Sequence, residues 1–128
     1  VRDTKDYEMG TPLISLTPAA ANDVLFRDFP NEFPAVSVHM ERATDVPKQC
    51  ELLAVSPACP HAFKLKTKPF WAFQFHPEVD KATLVERLTT YRQKYTGNDL
   101  HLAAVLRNAV ETPHSNGLLR KFVNQLLC

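Results

Sequence analysis

Hydrophobic positions change their spacing once along the chain, near residue 79. Before that point the apolar runs are short. Residues 12–16 make one, expected as a strand that stops at Thr17-Pro18, a pairing that suits a helix cap followed by proline in the first turn. Val24, Leu25, Phe26 and Phe29 form a small amphipathic piece closed by Pro30. Over 35–40 the chain alternates, with Ala35, Ser37 and His39 facing one way and Val36, Val38 and Met40 the other, which is the strand signal. Residues 52–55 and 62–65 are two further strand candidates, and Thr67-Lys68 turns the chain into 70–75. That run holds Phe70, Trp71, Phe73 and Phe75 and leaves no exposed face, which predicts a strand in the middle of a sheet covered on both sides.

After residue 79 the period becomes 3.6. Leu84, Val85, Leu88, Tyr91 and Tyr95 share one helical stripe that Gly97 is placed to stop. Leu102, Val105, Leu106 and Ala109 make a second, entered through Asn98-Asp99 and ended by Thr112-Pro113. Leu118, Leu119, Phe122, Val123 and Leu126 make a third, with Ser115 as its cap. The expectation is one domain with a strand-rich part, 1–79, and a helical part, 80–128. Taken alone, that order suggests α+β, since the alternating βαβ rhythm of a whole doubly wound sheet is missing.

Composition narrows the function. The 128 residues are 45% hydrophobic and 23% charged, an ordinary globular make-up. Fifteen Lys+Arg against fourteen Asp+Glu, with no long run of either sign, argue against a nucleic-acid surface. No stretch approaches the roughly 18 to 20 apolar residues of a membrane span, and no basic-then-apolar leader is visible. Cys50, Cys59 and Cys128 fit neither a disulfide framework nor a zinc spacing, so buried thiols in a reducing cytoplasmic compartment are expected. His61, His101 and His114 are isolated, and no spacing joins them into a metal set. Asp45 and Glu51 are read as solvated surface, and the aromatic run as core rather than a binding platform.

The chemistry concentrates at His76-Pro77-Glu78, where the aromatic strand ends. Side chains two apart on an extended chain share a side, so His76 and Glu78 can meet. Pro77 has no N–H to continue a ladder and biases His76 towards extended backbone. A carboxylate on one ring nitrogen fixes the tautomer, stabilises the imidazolium and leaves the other nitrogen as a general base. Two thirds of a nucleophile–His–acid constellation lie within three residues.

These residues resemble a family. The stretch Phe73-Gln74-Phe75-His76-Pro77-Glu78-Val79 is similar to the His-x-Glu signature of class I, triad-type glutamine amidotransferases. Glu8-Met9-Gly10-Thr11 with Ile14-Ser15-Leu16-Thr17, then Val24-Leu25-Phe26-Arg27-Asp28-Phe29-Pro30, then Leu53-Ala54-Val55-Ser56-Pro57 run parallel to the same pattern, with a GMP-synthase-like or stand-alone domain as the best sub-type. The resemblance implies an α/β, three-layer, flavodoxin-like fold, of which this chain supplies the C-terminal part: a mixed sheet of short strands followed by about three helices. It implies hydrolysis of the glutamine side-chain amide to glutamate and ammonia, with His76 and Glu78 as the catalytic pair and no metal or organic cofactor. The family's nucleophile is a cysteine in a Gly-x-Cys-x-Gly elbow, and no cysteine here has glycine neighbours. The expectation is therefore a partner segment N-terminal to this chain that carries the cysteine and the oxyanion-hole amides, so that the 128 residues alone are inactive. A synthase acceptor domain or a homo-oligomer are further expected partners.

His39 matches a family histidine that lies against bound glutamine, which makes His39 and Met40 expected substrate contacts. The other reading of His39 is a strand-end histidine bonded to backbone. Two functions of other kinds remain open beside the amidotransferase: a non-catalytic remnant serving regulation or assembly, and a γ-glutamyl peptidase using the same Cys–His pair.

Overall fold

A computed structural model of the chain describes residues 8–91 and 99–127. The strands come early: β1 (Met9–Gly10), β2 (Leu13–Leu16), β3 (Glu32–Pro34), β4 (Ser37–Val38), β5 (Cys50–Val55), β6 (Pro60–Leu65) and β7 (Trp71–Phe73). Five of them form a sheet in the order β3-β2-β5-β6-β7, and β1 pairs separately with β4. The pairings described are all antiparallel. Helices α1 (Lys81–Thr90), α2 (Asp99–Asn108), α3 (Pro113–Asn116) and α4 (Leu118–Phe122) follow, with a π-type turn over Val123–Leu127. Among the described residues no helix is long and apolar enough to cross a membrane.

The apolar positions form two cores. The first joins Ile14, Leu25, Phe26, Phe33, Leu53, Phe75 and Leu118, so the five-stranded sheet packs on the 24–29 turn and on α4. Lys121 ties α4 down by donating to the Leu25 carbonyl at 2.8 Å while its ammonium sits over the Phe29 ring. The second core joins Val36, Val79, Leu84, Leu88, Leu102 and Ala109, placing α1 and α2 against the small sheet. Leu84 and Leu88, four apart on α1, are both buried, each worth about 1.5–3 kcal/mol of transfer free energy.

The β5–β6 hairpin departs from regular pairing. The register slips between Leu52 and Ala54 and again between Ala54 and Val55, the latter opposite Ala62 and Pro60. Leu53 and Ala54 are consequently both buried, as are His61 and Ala62 on the neighbouring strand. An extra residue in a ladder turns neighbouring side chains to the same face. Here the slip sends His61 inwards.

Several expectations need correcting. The aromatic run is not a mid-sheet strand: β7 ends the five-strand order, and Phe70 is 56% exposed at the tip of the preceding turn. Its aromatic rings work on one face, Trp71 edge-on to Phe122, Phe73 to Phe26 and Phe75 to Phe33. Thr17 does not cap the 3-10 turn Pro18–Asn22, because its hydroxyl donates across to the Leu52 carbonyl at 2.6 Å. Ser115 lies inside α3 rather than at a cap, its hydroxyl reaching back to the Thr112 carbonyl. Tyr91 follows the end of α1 and is exposed. Tyr95, Gly97, Asn98 and Cys128 lie outside the described residues.

Candidate functional site

The His76 turn is built where β7 runs out. The His76 N–H donates to the Val36 carbonyl at 2.8 Å, and the Val79 N–H closes back on the His76 carbonyl at 3.2 Å around the buried Pro77. One residue later the Asp80 carboxylate accepts the Thr83 N–H at 2.8 Å and starts α1. Strand, turn and helix start thus fix the backbone on both sides of Glu78. His76 Nδ1 lies 2.9 Å from Glu78 Oε1, with side chains 40% and 54% exposed. For Glu78, partial burial works to raise the carboxyl pKa, but the His76 hydrogen bond, the backbone N–H and the charges of His76 and Arg87 outweigh it and hold it below 4.5. A cavity of about 190 Å³ opens beside the ring, lined by Val36, Val38, Val79, Leu84, Leu88 and Arg87.

Asn116 completes the turn from a distance. Its side-chain amide donates to the carbonyls of Pro77 at 3.1 Å and Val79 at 2.8 Å, while its oxygen accepts the hydroxyl of buried Thr112 at 2.7 Å. Sequence reasoning treats 112–116 only as a helix entry. No local signal marks the amide as a support for the turn.

His39 belongs to a second cluster, centred on Glu8. Its Nε2 lies 3.0 Å from Glu8 Oε1, so its ring is paired with a carboxylate rather than with backbone. His61 Nε2 lies 2.7 Å from the same oxygen, and the Ser56 hydroxyl donates to Oε2 at 2.6 Å. The thiol of Cys59 stands 3.7 Å from Oε1 and 3.8 Å from His39 Nε2. Burial opposes ionisation of Glu8, but hydrogen bonds from His61, Ser56 and His39, with the charge on His61, bring its pKa down to about 2. Burial and then the Glu8 charge push the Cys59 thiol up to about 11. The four donor atoms all lie within 4.8 Å of one another, a set able to hold a metal ion. His61 is therefore not isolated. The residues are brought together by two ladders and a register slip, and spacing along the chain carries no trace of that.

Met40 is 49% exposed and has no partner in this cluster. His114 packs its ring beside Phe29, away from either group. Cys50 and Cys59 are free thiols. The bonds described for His76 run to Glu78 and to the Val36 and Val79 backbone, none of them to sulfur.

Residues 4–90 match the family described as glutamine amidotransferase class-I. The chain belongs to that family. Among curated relatives of this amidotransferase, the glutamine-hydrolyzing GMP synthase subunit of Methanococcus vannielii is 46% identical over 59 residues, 45% of this chain and 31% of that protein. The protein of the same name in Methanocaldococcus jannaschii is 46% identical over 56 residues, 43% of this chain and 30% of its own length. Matched segments thus span about a third of these relatives. Among solved structures, a glutamine amidotransferase of Thermotoga maritima superposes with a TM-score of 0.73 over 97% of this chain and 52% of its own, at 21% identity. One from Methylobacillus flagellatus gives 0.62 over 95% and 54%, at 14% identity. The fold is the α/β, flavodoxin-like fold of these amidotransferases.

Proposed function

We propose that the complete protein hydrolyses the side-chain amide of glutamine, with His76 as general base and Glu78 as its orienting acid. The observation that carries this is the 2.9 Å contact between His76 Nδ1 and Glu78 Oε1 beside a cavity. With Nδ1 held by the carboxylate, Nε2 is the nitrogen left to exchange a proton. It takes the proton of a cysteine thiol, the thiolate attacks the amide carbon, and the proton goes to the departing nitrogen as ammonia leaves a glutamyl thioester. Water, deprotonated by the same nitrogen, then releases glutamate and regenerates the thiol. The thiol in this reading comes from a segment outside this chain, because Cys59 sits beside a carboxylate that opposes its ionisation.

Kinship with proteins named as belonging to a glutamine-hydrolyzing GMP synthase supports a synthase partner that consumes the ammonia. A cytoplasmic location is proposed with it, supported by the free thiols.

The test is ammonia release from glutamine by the intact protein. Wild type turns over, and His76→Ala falls by about 10²–10⁴-fold, the usual contribution of a positioned base. The 128-residue chain alone releases none. Absence of turnover by intact protein with its synthase partner favours the non-catalytic remnant, and faster turnover of a γ-glutamyl peptide than of glutamine favours the peptidase.

A further inference from the structure

We propose that Glu8, His39, Cys59 and His61 form a structural zinc site that ties the β1–β4 sheet to the β5–β6 hairpin. The site is independent of the His76 chemistry. Each ligand arrives on a fixed element: Glu8 and His39 flank the β1–β4 pair, joined by the His39 N–H on the Glu8 carbonyl at 3.2 Å. Cys59 sits in the turn between β5 and β6, where the Ser56 N–H donates to its carbonyl at 3.0 Å, and His61 is turned inwards by the register slip.

The spacing of the donors suits a tetrahedral ion. Zinc takes nitrogen and oxygen at about 2.0–2.1 Å and thiolate sulfur at about 2.3 Å, so tetrahedral geometry separates N and O donors by about 3.3 Å and sulfur from either by about 3.5 Å. The observed separations are 2.7 and 3.0 Å from the histidines to Oε1, 3.7 Å from sulfur to Oε1 and 3.8 Å from sulfur to His39 Nε2. Shifts of about half an ångström convert one arrangement into the other. On binding, the thiol proton leaves to solvent and both imidazoles coordinate through Nε2 with their protons on Nδ1.

Charge and orientation agree. A dication with one thiolate, one carboxylate and two neutral imidazoles sums to zero, the condition under which charges are tolerated in a buried place. All four residues are largely buried: the His61 and His39 side chains are 0% and 7% exposed, Glu8 13%, and Cys59 6%. Ser56 holds Oε2, and the Ala58 N–H in turn fixes Ser56 Oγ at 3.2 Å, which leaves Oε1 aimed at the histidines. Outer hydrogen bonds of this kind set the direction of a ligating carboxylate. Four protein ligands with no open position are the arrangement of a structural rather than a catalytic metal.

The test uses intact protein stripped with a chelator, then titrated with zinc chloride or cobalt chloride. One zinc per chain is expected after gel filtration, and cobalt should give a thiolate charge-transfer band. That band is lost in Cys59→Ser, and Glu8→Gln weakens zinc affinity at least about tenfold, as loss of a ligating charge does. A readout on the unaltered chain stands beside the variants: alkylation of Cys59 followed by peptide mapping. With free zinc a hundred times above its dissociation constant about one chain in a hundred stays open, so alkylation of Cys59 slows about a hundredfold while Cys50 is unaffected. Equal alkylation of Cys59 with and without zinc, or a cobalt band that survives Cys59→Ser, overturns the site. If Cys59→Ser fails to fold, the alkylation rates decide alone.

Discussion

The side-chain amide of Asn116 lies 2.8 Å from the carbonyl of Val79, 37 residues earlier in the chain. A second bond from the same nitrogen reaches Pro77, so one amide spans the carbonyls on either side of Glu78. These two carbonyls have no other donor described, and Asn116 is itself held by Thr112. Asn116→Asp keeps the size and the acceptor but removes the donor and sets a charge against two carbonyl dipoles. A loss of about 1–3 kcal/mol in urea unfolding is expected, the cost of leaving such groups unpaired. Under the proposed chemistry the intact variant also loses ammonia release by on the order of tenfold to a hundredfold, through displacement of the His76 turn. Unchanged stability and rate together would remove Asn116 from the account.

Trp71 and Asp23 make the corresponding contact in the first core. The indole N–H donates to Asp23 at 3.0 Å, and the other carboxylate oxygen accepts the N–H groups of Leu25 and Phe26 at 2.9 and 3.3 Å. Asp23→Ala strands three donors at a buried position, which predicts a loss of about 2–4 kcal/mol. Trp71 is the chain's single tryptophan, so its emission reports the change directly. An unaltered emission maximum and unfolding midpoint in Asp23→Ala would show that water replaces the carboxylate without penalty.

Local pattern made the strands, the main helices and the His76–Glu78 pair legible, because each depends on residues a few positions apart. Period-two alternation located β5 and β6, and the i, i+4 spacing of Leu84 and Leu88 located α1. What stayed hidden depends on distant segments. The Glu8 cluster needs residues 8, 39, 59 and 61 to converge, and His61 faces inwards only because the β5–β6 register slips. Edge placement of β7 was equally invisible, since an aromatic strand reads the same whether a partner strand covers it or Phe26, Phe33 and Phe122 do. Thr17 shows the limit of capping rules: a better acceptor on β5 claimed its hydroxyl.

The Glu78 carboxyl gives a pH prediction with a defined sign. Burial raises its pKa, but His76 and the other groups lower it further, and the folded value lies below 4.5. A depressed folded value means that the pair's contribution is complete above about 4.5 and is lost as pH falls through the folded value. The side chain is more than half exposed, so solvent screening keeps that contribution small. In an NMR titration of the side-chain carboxyl, wild type is expected to show a midpoint below 4.5. His76→Ala should move it upwards, because the burial effect stays while the opposing hydrogen bond goes. A midpoint that stays put in His76→Ala would mean that the ring does not hold the carboxylate in solution.

Gly10 is the one described residue with backbone in the left-handed half of the map, at φ +124°. It is buried in β1, between Glu8 of the cluster and Thr11, whose hydroxyl accepts the Val110 N–H at 3.0 Å. A Cβ at this position would meet Val105 Cγ1 at 3.4 Å, an ordinary contact, so space is not the constraint. The constraint is the backbone: an L side chain at this φ costs about 1–3 kcal/mol. Gly10→Ala is therefore expected to destabilise by about that amount in urea unfolding. Pairing it with Val105→Ala separates the two causes, because removing the neighbour relieves crowding and leaves strain untouched. The double variant should recover none of the loss, and recovery on trimming Val105 would show that packing against α2, rather than φ, demands glycine here.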